Sequence, residues 1–318
     1  MQVLFADSNH EVLHQTLMEN GFTCDLFWDK PEEELKNILP QYDALVIRSK
    51  FILSAELLSK CNKLKCIGRV GAGMENIDLE FANKQNIICV NAPEGNRDAV
   101  GEHSAAMLLM LINHLKKADE EVRNNIWIRA ENRGTEISGK TIGIIGFGNM
   151  GSSFAEKLQG FNCKILAYDK YDNSKIKLNK NVKESNLNEI FEQSDILSLH
   201  LPLTNETKYL INKNFINSFK KNIYIINTAR GKCLKTDDLA EALKSGKVKG
   251  ACLDVFENES DSFEKMNSAD LPESIKFLLK SDKVILSPHI AGWTHESNFK
   301  MSKIIADKMT GVLKNFKN

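Results

Sequence analysis

The sequence predicts an α/β protein built from two doubly wound parallel sheets. Short apolar, β-branched runs recur along the chain, each the length of a buried parallel strand. Amphipathic stretches of helical period alternate with them, the pattern of strand–helix–strand units. At 318 residues the chain is long enough for about two domains of roughly 100–200 residues each.

Residues 1–98 read as an α/β unit of their own. Val3 to Ala6 is a strand, and Glu11 to Asn20 a helix stopped by Gly21. Ala44 to Ile47 is a strand running into Arg48-Ser49; Cys66 to Val70 is another, running into Gly71-Ala72-Gly73. Ile87 to Val90 precedes the loop Asn91–Asn96. Ligands of parallel sheets sit beyond the carboxyl ends of strands, which singles out Arg48 and these two loops. A long helix is expected over 99–118, apolar on most sides and therefore buried between domains or subunits. Residues 119–139 are polar and read as an arm crossing a surface, onto a second subunit.

Residues 140–169 are the centre of the second unit. Ile142, Ile144 and Ile145 form a strand, and Gly146, Gly148 and Gly151 follow it at GxGxxG spacing. That spacing turns the chain tightly, brings bare backbone to a pyrophosphate and packs the next helix on its strand. Ser152 to Gly160 reads as the helix, with Phe154, Ala155 and Leu158 inward. Lys164 to Tyr168 is a second strand, ending at Asp169, about 20 residues beyond Gly146, where a Rossmann unit places the ribose-binding carboxylate. A carboxylate there repels a 2′-phosphate, so NAD is expected over NADP.

Further strands are expected at 195–200, 223–226, 250–256 and 284–286, with a helix from Thr236 to Ser245. Residues 257–282 read as irregular with a helix in them, and Lys170, Lys175, Lys177, Lys180 and Lys183 as a solvated loop. An amphipathic helix with Ile304, Ile305 and Met309 on its apolar side follows Trp293.

Composition excludes several classes. Lys+Arg and Asp+Glu both number 42, and the zero net charge argues against a nucleic-acid binder. No apolar run approaches the ~18 residues of a membrane span, and the first residues read as a strand rather than a signal peptide. The seven cysteines are irregularly spaced with no CxxC pair, as expected of free thiols in a reducing cytoplasm rather than a metal site.

Three polar residues follow predicted strands of the second unit: Arg230, Glu259 and His289. A guanidinium can hold a carboxylate in a two-pronged grip. An imidazole can take a hydroxyl proton as hydride leaves, and a carboxylate beside it orients the ring. Together they suit hydride transfer at a hydroxy acid.

The motifs Gly146–Gly151 with Asp169, Leu199-His-Leu-Pro-Leu-Thr, Ile226-Asn-Thr-Ala-Arg-Gly, Leu253-Asp-Val-Phe-Glu-Asn-Glu and Ser287-Pro-His-Ile-Ala-Gly occur in this order. The set resembles the D-isomer-specific 2-hydroxyacid dehydrogenase family over nearly the whole chain. The resemblance implies two Rossmann-like domains with an active-site cleft between them. One is a substrate-binding domain, 1–98 completed by 291–318; the other is an NAD-binding domain, 99–290, carrying a dimerisation arm. It implies Arg230 on the substrate carboxylate, His289 as acid/base and Glu259 as its partner. It implies that Asp254 contacts the nicotinamide carboxamide, and that Asn149, Met150, Leu201, Pro202, Thr207, Thr228, Ala229 and Gly292 join the glycines and Asp169 along NAD.

Val46-Ile-Arg-Ser, Gly68-Arg-Val-Gly-Ala-Gly and Asn91-Ala-Pro-Glu-Gly-Asn resemble members acting on D-3-phosphoglycerate. They imply Arg48, Ser49, Arg69, Gly71, Ala72 and Gly73 as substrate contacts, with Arg129 of the arm reaching a partner's site in a homodimer. Two other readings stay open: a hydroxypyruvate or glyoxylate reductase of the same family, and a non-catalytic NAD(H)-sensing binding protein. Ser260, the segment 260–282 and Trp293 depart from the family pattern.

Overall fold

Two parallel sheets organise the chain. The structure, a computed structural model, describes residues 1–171, 176, 181–259 and 271–316. The chain divides into two units: Met1–Arg97 with the stretch from Trp293 onward, and Asp98–Glu259 with the stretch up to Gly292.

Among the described residues, the first unit holds strands β1 (Gln2–Phe5), β2 (Thr23–Leu26), β3 (Ala44–Ile47), β4 (Cys66–Arg69) and β5 (Ile88–Val90), in the order β2-β1-β3-β4-β5. All pairings are parallel. Sheet order reverses between β1 and β3, and Arg48 emerges there. One face is covered by the helices Val12–Glu19 and His295–Asn315, whose Leu13, Leu17, Met301, Ile305, Met309 and Leu313 pack on Val3, Phe5, Ala44 and Val46. The other face buries Leu4, Leu45, Ile47 and Ile67 against Leu35, Leu39 and Leu58. Alternate residues of each strand thus serve opposite cores, as the two-residue period requires.

The second unit holds β6 (Thr141–Ile145), β7 (Lys164–Tyr168), β8 (Val182–Glu184), β9 (Ile196–Leu199), β10 (Ile223–Asn227), β11 (Val248–Leu253) and β12 (Val284–Leu286). Their order is β12-β11-β10-β9-β6-β7-β8, again all parallel. The order reverses between β6 and β9, the place where doubly wound sheets bind ligands. Ile142 and Ile144 face one core with Met107, Phe147 and Phe154; Ile145, Leu197 and Leu199 face the other with Leu239 and Leu243. No helix among the described residues is long and apolar enough to cross a membrane.

Several expectations need correction. The helix expected over 99–118 is two, Arg97–Ile112 and Leu115–Arg123, because His114 takes a left-handed backbone with φ 54°. The first is buried along one side through Ala99, Val100, Met107, Leu108 and Leu111, whereas the second buries no residue. The segment 119–139 therefore begins helical, and it returns to the first helix where Thr135 N donates to Ile112 O at 2.9 Å. The helix after the glycine turn starts at Asn149, not Ser152, with Gly148 at its cap. Lys183 lies on β8 rather than in a loop, while Lys175, Lys177, Lys180, Ser260 and the rest of 260–270 lie outside the described residues. Of the segment 257–282, the described part contains the helix Glu273–Lys280.

Candidate functional site

The glycine turn sits where the second sheet reverses. Gly146 has φ +87°, and a Cβ on it would lie 2.3 Å from His200 O. A Cβ on Gly151 would lie 2.1 Å from Gly146 O, so helix and strand touch through bare backbone. Gly148 instead faces open space, with nothing within 4 Å of where its Cβ would be. Gly148 caps the helix Asn149–Lys157 without a side chain, and no acid occupies the first turn. An uncapped helix N-terminus with no acid beside it suits an anion. Asp169 closes the turn: its Oδ2 accepts from Phe147 N at 2.8 Å and its Oδ1 from Tyr171 N at 2.9 Å.

Leu201 and Pro202 follow β9, and the loop beyond is built on paired threonines. Thr204 N donates to Thr207 Oγ1 at 2.8 Å, Thr207 N returns a bond to Thr204 Oγ1 at 3.2 Å, and Thr207 Oγ1 donates to Pro202 O at 2.6 Å. This geometry presents Glu206, which accepts from Lys170 Nζ and from Tyr171 Oη, each at 2.7 Å. His200, between strand and loop, is largely buried beside Phe154; its Nε2 lies 2.9 Å from Ser198 Oγ. Burial pushes its pKa down to about 3.

Arg230, Glu259 and His289 follow the neighbouring strands β10, β11 and β12, so all three belong to one sheet edge. His289 Nδ1 lies 2.8 Å from Glu259 Oε2. A carboxylate only accepts, so Nδ1 carries the proton. The other oxygen of Glu259 accepts from Phe256 N, which fixes the carboxylate plane. His289 is left-handed, φ 55°, a conformation rare outside glycine that marks a residue held by its surroundings. Arg230 donates from Nη1 to Ala229 O at 2.7 Å, and its own carbonyl accepts from Asn227 Nδ2 at 3.1 Å. Thr228 Oγ1 is 3.1 Å from Ser104 Oγ, and Ala229 N donates to Asn227 Oδ1 at 3.1 Å.

Asp254 explains how the His289 loop is held. Its carboxylate, 1% exposed, accepts from Ser287 Oγ at 2.6 Å, Ile290 N at 2.8 Å and Ala291 N at 2.8 Å. Its carbonyl accepts from His289 N at 2.7 Å. His103 extends this network, with Nε2 2.9 Å from Ser287 Oγ. The Asp254 side chain thereby fixes the loop that carries His289 and leads to Gly292. His103 does not stand out in sequence, because a single polar residue within the helix Arg97–Ile112 carries no pattern.

In the first unit, Asp7 after β1 gathers the end of β3: its Oδ2 accepts from Arg48 N at 2.5 Å, Ser49 N at 3.2 Å and Lys50 N at 3.3 Å. Asp7 was missed in sequence, where a single acid after a strand carries no pattern. The Arg48 guanidinium lies over the ring of Trp293, 4.4 Å from its centre. Arg69 ends β4, and the Gly71–Gly73 loop after it is pinned by Ala92 N to Gly71 O at 2.9 Å and by Asn91 Nδ2 to Ala72 O at 2.6 Å. Arg129 is exposed on the segment after Leu115–Arg123, next to Ile126, Trp127 and Ile128. Among the described residues, no group of His, Cys, Asp and Glu could hold a metal ion.

Comparison with known proteins places this arrangement. Residues 105–291 match the family model for the D-isomer specific 2-hydroxyacid dehydrogenase, NAD binding domain. A D-3-phosphoglycerate dehydrogenase of Archaeoglobus fulgidus is 34% identical over 314 residues, 99% of this chain and 58% of that protein. The chain thus spans little more than half the length of that relative. A glyoxylate reductase of Thermofilum pendens is 36% identical over 294 residues, 90% of this chain and 83% of that protein. The crystal structure of D-lactate dehydrogenase from Aquifex aeolicus, complexed with NAD and lactic acid, matches with a TM-score of 0.81 at 31% identity, covering 99% of this chain and 95% of that one. The chain belongs to the D-isomer-specific 2-hydroxyacid dehydrogenase family, and its second unit carries that family's NAD binding domain.

Proposed function

We propose that this chain is an NAD-dependent dehydrogenase that oxidises D-3-phosphoglycerate at C2 to 3-phosphohydroxypyruvate, the first step of serine synthesis. The observation that carries the reaction is the His289–Glu259 pair, 2.8 Å apart on the sheet edge that also bears Arg230 and the glycine turn.

The residues of the turn fit NAD. Open space over Gly148, a helix N-terminus without side-chain cap, and Asp169 tied to Phe147 N form a cradle for a pyrophosphate and a ribose. Gly146, Gly148, Asn149, Met150 and Gly151 would hold the pyrophosphate and Asp169 the ribose. Leu201, Pro202, Thr207, Thr228, Ala229 and Gly292 would line the remainder. NAD, when bound, supplies the hydride acceptor.

Arg230 binds the substrate's carboxylate and carbonyl oxygen in a planar grip. With Nδ1 engaged by Glu259, His289 takes the C2 hydroxyl proton at Nε2 as the hydrogen on C2 departs with its electron pair. Glu259 holds the ring's orientation and stabilises the imidazolium that forms. Asp254 acts through the loop it binds. Arg48, Ser49, Arg69 and the loop Gly71-Ala72-Gly73 serve the phosphate. Arg129 serves it from a second copy: the arm exposes Ile126, Trp127 and Ile128, with Trp127 78% exposed, an apolar run that a homodimer would cover. Free thiols at all seven cysteines suit a reducing cytoplasm.

A second reading, a glyoxylate or hydroxypyruvate reductase, is favoured by the 36% identity to a glyoxylate reductase of which the match covers 83%. Steady-state turnover of 3-phosphoglycerate, phosphohydroxypyruvate, hydroxypyruvate and glyoxylate separates the two. Higher kcat/KM for the phosphorylated pair is expected. Turnover of glyoxylate or hydroxypyruvate alone transfers the assignment to the reductase. NADH binding without turnover of any of them reduces the protein to a nucleotide-binding module.

A further inference from the structure

The corner beside Asp169 carries a cation that the NAD reading does not use. Lys170 follows the ribose-binding acid directly, where a free ammonium would be the natural partner of a 2′-phosphate. It is engaged. Glu206 Oε2 accepts from Lys170 Nζ at 2.7 Å and from Tyr171 Oη at 2.7 Å, and the Lys170 ammonium also lies over the Tyr171 ring, 5.3 Å from its centre. Glu206 comes from a distant stretch, the loop after β9, held by the reciprocal Thr204–Thr207 bonds. Tyr171 is in turn tied to Asp169 through its backbone N–H at 2.9 Å. Asp169, Lys170, Tyr171 and Glu206 are thus one connected group.

We propose that Glu206 is a cofactor-selectivity residue: by holding Lys170 and Tyr171 it keeps the corner net negative and denies the ammonium to the 2′-phosphate of NADP. The inference rests on the dinucleotide reading of the glycine turn and deepens it. The side chains are solvent-exposed, 53% for Lys170 and 57% for Glu206. Such a pair adds little to fold stability. Its effect falls on a ligand that brings charge to the corner. With Glu206 present, the charges of Asp169, Lys170 and Glu206 sum to one negative; without it they cancel and Lys170 can swing. A 2′-phosphate dianion within several ångströms of that change should feel roughly a tenfold difference in affinity.

Equilibrium titration of NADH and NADPH by nicotinamide fluorescence, with ADP and 2′,5′-ADP by calorimetry, tests this without turnover. Wild type is expected to prefer NADH and ADP. Glu206→Ala should shift both ratios roughly tenfold toward the 2′-phosphorylated ligand while leaving NADH affinity within about twofold. Lys170→Ala added to Glu206→Ala should restore the wild-type ratio, and Glu206→Asp should retain it. Ratios unmoved by Glu206→Ala overturn the inference, as does a shift that persists in the double variant, since Lys170 would then play no part. Failure of wild type to bind either NADH or ADP removes the dinucleotide reading itself, and the inference with it.

Discussion

The guanidinium carbon of Arg48 lies 4.4 Å from the centre of the Trp293 ring. Both belong to the first unit though 245 positions apart in sequence, Arg48 at the end of β3 and Trp293 just before the helix that covers the sheet. Asp7 holds the Arg48 backbone while Trp293 holds its head, leaving the side chain few orientations. Trp293 is itself 67% exposed. If Arg48 binds the substrate's phosphate, Trp293→Ala should raise KM for 3-phosphoglycerate by roughly 3- to 30-fold with little change in kcat. Trp293→Phe should recover most of the loss. Equal KM values in all three proteins would remove Arg48 from phosphate recognition.

The pair at the heart of the proposed chemistry makes a graded prediction. His289→Ala should lower kcat by about 10²–10⁴-fold. Glu259→Gln, which keeps the shape and can still accept from Nδ1–H through its amide oxygen, should fall less far than His289→Ala. Full activity in His289→Ala would dispose of the mechanism.

Asp254 accepts three hydrogen bonds in a site from which water is excluded. Asp254→Ala strands the Ile290 and Ala291 N–H groups and leaves the Ser287 hydroxyl to His103. Urea denaturation should register a loss of about 2–4 kcal/mol, and the His289 loop should lose its geometry, lowering kcat as well. An unchanged midpoint would mean that the loop is held by other contacts.

His200 predicts an acid sensitivity. Burial pushes its pKa down to about 3, so the folded protein resists a proton that the unfolded chain accepts near pH 6.5. Its effect is absent above neutrality, grows as pH falls from 6.5, and stops growing below about 3; at pH 4 it costs about 3 kcal/mol. His200→Gln should narrow the difference between denaturation midpoints at pH 7 and pH 4. Identical pH dependence in wild type and variant would place the acid sensitivity elsewhere.

The strands of the second sheet were legible because strands buried on both faces need unbroken apolar, β-branched runs. Lys164–Tyr168 and Val284–Leu286 were located to the residue. β2 and β8 were not, since Thr23–Leu26 and Val182–Glu184 lie on sheet edges and mix polar with apolar side chains. The break at His114 was hidden because a left-handed histidine leaves no mark on hydrophobic periodicity. The order of Gly146, Arg230, Glu259 and His289 was readable as motifs. The hydrogen bonds of Asp7, Asp254 and Glu206 were not, because their partners are distant in sequence.

The helix His295–Asn315 completes the core that Val3, Phe5 and Leu13 begin. During synthesis that core cannot close until Leu313 has left the ribosome, whereas every strand of the second sheet has been made by Leu286. The first strand of the chain must therefore wait, half-covered, while the second sheet assembles. Closing a loop of this length adds little entropic cost but delays burial. An open apolar face during that interval makes the nascent first unit, rather than the mature protein, the stage most exposed to aggregation.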